Sequence, residues 1–127
     1  MGHKRKIYLC GRYSRRREFL GYAERLLSIG HEITSRWING SHEGDGECTP
    51  EQLARFAIED MIDLRGSDTM IVFTEYPSDK WPSGGRHVEL GYAIGYNEHF
   101  ERPFSDTIKI IIVGPAENVF CHENPLY

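Results

Sequence analysis

Cysteine is scarce and scattered in this chain. Cys10, Cys48 and Cys121 are an odd count at wide spacing with no C-x-x-C pair, which excludes a disulfide framework and a structural zinc site and fits a reducing compartment. Long apolar runs are missing too. The stretch that follows the basic residues Lys4-Arg5-Lys6 covers only Ile7 to Cys10, too short for a signal-peptide core or a membrane span, so a soluble cytoplasmic protein is expected. There is no excess of positive charge: 15 Lys and Arg stand against 19 Asp and Glu, a net charge of -4. That balance excludes a general affinity for nucleic acid backbone or for anionic membranes. His31, His42, His99 and His122 show no ligand spacing, so no metal and no other cofactor is expected. Repeats, low-complexity tracts and interdomain linkers are also lacking, and 127 residues suit a single domain with a core of its own.

What is present is an alternation. Short apolar runs at Lys6 to Cys10, His31 to Trp37, Thr69 to Phe73 and Thr107 to Val113 are separated by helix-period stretches at Glu18 to Ile29, Glu51 to Arg65 and Arg86 to Asn97. This pattern predicts βαβ units in an α/β, flavodoxin-like or Rossmann-like three-layer sandwich, with a mainly parallel sheet of four or five strands. Thr107 to Val113 is the most continuous β-branched run and is expected at the centre of the sheet. Gly30 and Gly66 stand where helix C-caps belong, and Thr49-Pro50-Glu51-Gln52 reads as a capping box with a first-turn proline.

Glu89 draws attention first, because it follows the glycine-rich Ser83-Gly84-Gly85. It is expected in the first turn of a helix whose positive end and backbone N–H groups keep it ionised. On the preceding helix Leu53, Phe56, Ala57 and Leu64 define an apolar arc with Asp60 near its centre, whereas Glu59 and Asp63 fall to the side as solvated charges. A carboxylate facing the sheet needs a partner or a task. Ile58 and Ile62 form a separate stripe suited to a dimer contact or to helix packing. In an open parallel sheet the ligand crevice lies beyond the carboxyl ends of the strands. There Gly11-Arg12-Tyr13-Ser14, with Arg15 after it, suits a phosphate, and Trp37 offers a stacking surface for a base. Two carboxylates at one crevice point to double displacement at an acetal-like carbon, that is, to glycosidic chemistry.

These residues resemble the nucleoside 2-deoxyribosyltransferase-like family, which includes deoxyribosyltransferases and nucleoside 5′-monophosphate N-glycosidases. The resemblance rests on Ile7-Tyr8-Leu9-Cys10-Gly11, on Asp60 eight residues before Asp68, on the strand from Met70 to Phe73, and above all on Gly85-x-x-x-Glu89-Leu90-Gly91-Tyr92-Ala93. It implies a parallel α/β fold and cleavage of an N-glycosidic bond through a covalent glycosyl-enzyme, the sugar passing to water or to a second base. By position, Glu89 is similar to the family nucleophile, Asp60 to the aspartate that assists at the sugar or base, and Tyr8 to the aromatic residue that orients the nucleophile. Asn118 falls where family members supply a polar residue to a neighbouring subunit, which implies a homodimer or higher homo-oligomer with shared sites. Ser83 stands where the transferases carry an acid and the monophosphate hydrolases do not, and so suits a 5′-phosphate. The other readings are a noncatalytic nucleotide-binding module and cleavage of a dinucleotide such as NAD.

Overall fold

The computed structural model describes residues 4–40, 49–76, 85–99 and 107–115. Its elements run β1 (Lys6–Cys10), α1 (Arg16–Ser28), β2 (Glu32–Ile33), α2 (Pro50–Arg65), β3 (Thr69–Phe73), α3 (Gly85–His99) and β4 (Lys109–Val113). All strand pairs are parallel, in the order β2-β1-β3-β4. This is the α/β, Rossmann-like or flavodoxin-like sandwich that the alternation predicts.

Register decides what each face of the sheet carries. Tyr8 pairs with Met70 and Met70 with Ile110, and side chains alternate along a strand, so Tyr8, Cys10, Met70, Val72, Ile110 and Ile112 share one face. On it Tyr8 meets Asp60 of α2 and Glu89 of α3. The opposite face is covered by α1, whose Phe19 lies 4.7 Å from the ring of Phe73. Tyr8, Leu9, Cys10, Phe19, Leu64 and Ala93 are among the residues sealed in the resulting core, each large apolar side chain contributing about 1.5–3 kcal/mol of transfer free energy.

Local signals explain where the elements begin and end. At α2 Thr49 Oγ1 accepts from the Gln52 amide at 3.2 Å while Gln52 Oε1 accepts from the Thr49 amide at 2.8 Å, with Pro50 in the first turn. Gly30 follows α1 at φ +99°, a left-handed conformation that costs glycine nothing. Gly66 caps α2 in a right-handed conformation instead.

Three expectations are corrected. β4 lies at an edge of the described sheet: its β-branched run has Ile110 buried on the face it shares with Tyr8 and Met70, but Ile111 and Val113 are 46% and 44% exposed on the other. The expected strand from His31 to Trp37 shrinks to Glu32–Ile33 and gives way to a 3-10 turn at Arg36–Asn39. On α2 the buried arc is rotated: Leu53 is exposed, Ala57 faces solvent, and Asp63, expected at the solvated side, is only 6% exposed. Asp63 is buried because Arg36 pairs with it. Ile58 and Ile62 remain exposed in the single chain.

Candidate active site

The segment after β1, the Arg36–Asn39 turn, α2 and the start of α3 meet around one pocket of about 170 Å³, lined by Gly11, Arg12, Tyr13, Trp37, Asp60, Gly85, Arg86 and Glu89. Four separate chain segments therefore converge, as an open parallel sheet requires of its crevice. β1 ends at Cys10 and the chain turns at Gly11, where a Cβ would stand 2.4 Å from the Phe19 ring. Only glycine lets the backbone pass so close to the core. Tyr13 opens a 3-10 turn, and the second such turn carries Trp37. Asp60 comes from α2, one helical turn before Asp63.

Glu89 is the fifth residue of α3, and no acid occupies the first turn of that helix. Its setting differs from the expected one: burial, rather than the helix end, dominates and pushes its carboxyl above the ordinary range, while the Cys10 thiol and the Tyr8 hydroxyl favour its charged form. Glu89 Oε2 and Tyr8 Oη are both buried without a well-formed hydrogen bond, so the carboxylate is less tightly held than a structural ion would be. The Cys10 thiol donates to the Arg86 carbonyl at 3.7 Å. Burial first, then the charges of Glu89, Asp63 and Glu59, raise the Asp60 carboxyl to about 8 against the opposing pull of Arg36. Two carboxyl groups thus share a cavity in which one holds its proton at neutral pH.

Of the residues singled out from the sequence, Glu89, Asp60, Gly11, Arg12, Tyr13, Trp37 and Gly85 line the pocket, and Tyr8 lies beneath it, facing both acids. Arg15 turns away. It pairs with Glu18 at 2.6 Å and with Glu75, and its guanidinium lies over Phe19 and Phe73. Ser14 is exposed and is not among the lining residues. Ser83 and Asn118 lie outside the described residues. Sequence reasoning passed over Arg86, although its place three residues before Glu89 puts both on one side of a helix. It also passed over the role of Asp63.

No family model matches this chain, and neither a curated protein nor a solved structure does. The site itself therefore carries any statement of function. Among the described residues no cluster of His, Cys, Asp or Glu is placed to hold a metal ion, and no helix is long and apolar enough to cross a membrane.

Proposed function

We propose that this protein cleaves the N-glycosidic bond of a 2′-deoxynucleoside or nucleoside 5′-monophosphate. The observation that carries the reading is the pair of pocket carboxyls, Glu89 and Asp60, with the Asp60 proton retained to about pH 8. In the first step Glu89 attacks the anomeric carbon, the bond from that carbon to the base nitrogen breaks, and its electron pair takes the Asp60 proton. The ionised Asp60 then accepts a proton from water, or from the nitrogen of a second base, as that acceptor displaces Glu89 and reforms the free enzyme. Atoms and charge balance without a cofactor.

Arg12 and Arg86 on the pocket wall support a substrate with a phosphate, since guanidinium groups bind phosphate oxygens strongly. The exposed Ile58 and Ile62 support a homodimer, and the scarcity of cysteine supports action in the cytoplasm. Purified protein incubated with each deoxynucleoside and each nucleoside 5′-monophosphate, with and without a second free base, tests the activity by release or exchange of base. Free base from none of them, with the protein folded, refutes it. Ligand binding that survives without turnover in the wild type identifies a binding module instead. Sedimentation as a fully active monomer refutes shared sites.

A further inference from the structure

The Arg36–Asn39 turn is fixed at its first two residues by polar contacts to α2 on one side and β1 on the other. Asp63 Oδ2 accepts from the Arg36 backbone amide at 2.9 Å, while Oδ1 accepts from Nε at 2.9 Å and lies 2.8 Å from Nη2. On the other side the Trp37 indole Nε1 donates to the Leu9 carbonyl at 2.8 Å. The one polar atom of Trp37 is thus engaged with β1, and the indole can offer the pocket only its ring. Tyr13 extends this aromatic wall, with ring centroids 6.0 Å apart and planes at 40°. Phe19 supports Trp37 from behind, edge-on at 5.4 Å.

We infer that Asp63 is a positioning residue: through Arg36 it docks the Trp37 turn onto α2, the helix that also carries Asp60, so that aromatic wall and acid hold a planar heterocyclic leaving group between them. A buried carboxylate with three hydrogen bonds is costly to keep for packing alone. Here it fixes the distance between two working parts of the pocket to the rigid spacing of one helical turn. Arg36 is more than half exposed and Asp63 almost wholly buried, so the carboxylate is the rigid half of the pair. This inference rests on the glycosidase reading for its leaving group and its kinetic readout, while the placement of Trp37 stands on the contacts themselves.

The test uses Asp63→Asn in a W81F background, which leaves Trp37 as the sole tryptophan. Acrylamide quenching of Trp37 emission is expected to rise severalfold in the folded variant. KM for a nucleoside 5′-monophosphate is expected to rise about tenfold, as loss of a charge-assisted hydrogen bond worth about 1.5–3 kcal/mol allows. At pH 6 kcat is expected to stay within about twofold, because burial and the Glu89 charge, the larger causes of the raised proton affinity of Asp60, still keep the Asp60 proton once the Asp63 charge is gone. Unchanged quenching with unchanged KM, or a fall in kcat alone, overturns the inference. Arg36→Lys, which spares the backbone contact to Asp63, is expected to give a smaller rise in both and serves if Asp63→Asn does not fold. Should the wild type release no base from any nucleotide, the quenching comparison still decides the placement of Trp37, so the two readings fail separately.

Discussion

Replacing Asp60 by asparagine should make this protein more stable at alkaline pH. The folded state holds the Asp60 proton to about pH 8 against an ordinary value of 3.8, so the native protein binds that proton more tightly than the unfolded chain does. Stability from this group is complete below about pH 4 and is lost as pH rises toward about 8. The full shift corresponds to about 6 kcal/mol at 1.36 kcal/mol per pH unit. Asp60 keeps some contact with solvent and part of the shift is repulsion shared with Glu89, so about 2–3 kcal/mol is the expected effect of removing the charge. Urea unfolding followed by far-UV circular dichroism at pH 4.5 and pH 8.5 measures it. Asp60→Asn should exceed the wild type at pH 8.5 and approach it at pH 4.5. Parallel curves, or a less stable variant at pH 8.5, would refute the placement of Asp60 beside Glu89 in a poorly solvated pocket. A gain in stability accompanied by lost turnover is the usual sign that a strained group is kept for chemistry.

Glu89→Gln should lower kcat/KM by at least about a thousandfold while ligand binding persists, as loss of a nucleophile does; mass spectrometry of quenched wild-type reactions should detect a glycosylated peptide containing Glu89, absent from the variant. Activity should fall as pH rises through about 8, where Asp60 loses its proton, if Asp60 is the proposed acid for the departing base; a rate that keeps climbing to pH 10 would contradict that role. Gly11→Ala should lose about 1–3 kcal/mol by thermal unfolding, since its Cβ would stand 2.4 Å from the Phe19 ring.

The order of elements was legible because a parallel sheet imposes a simple rhythm, and Thr49 to Gln52 marked the start of α2 almost to the residue. Burial was harder to read. A β-branched run looks the same whether one face or two are covered, which is why β4 was expected at the centre although Ile111 and Val113 face outward. The α2 arc misled for a related reason. Counting apolar residues placed Leu53 and Ala57 inside with Asp60; Asp60 does reach the pocket, but Leu53 and Ala57 face solvent and Asp63 turns in to take the Arg36 guanidinium. An ion pair between residues 27 apart leaves no periodic trace. The pocket fared better, because chemistry concentrates at strand ends whatever the helix phases are. Glu89 lines the pocket as expected, but its electrostatic setting differs from the helix-end one expected: burial raises its proton affinity, and two donors from β1 oppose that rise.

β2 pairs with β1 only at Lys6 and Ile7, and beyond that point side chains take over the work of a strand. The Leu9 amide donates to Ser35 Oγ at 3.1 Å and its carbonyl accepts from the Trp37 indole. The edge of β1 is therefore sealed by a hydroxyl and a ring instead of a backbone ladder. Such a seal can open when the Arg36–Asn39 turn lifts, without any strand separating, whereas the Cys10 amide faces a full partner in β3. Amide exchange at Leu9 then becomes a clock for the breathing of the pocket wall, running faster than exchange in the rest of the strand and slowing when a ligand presses Trp37 into place.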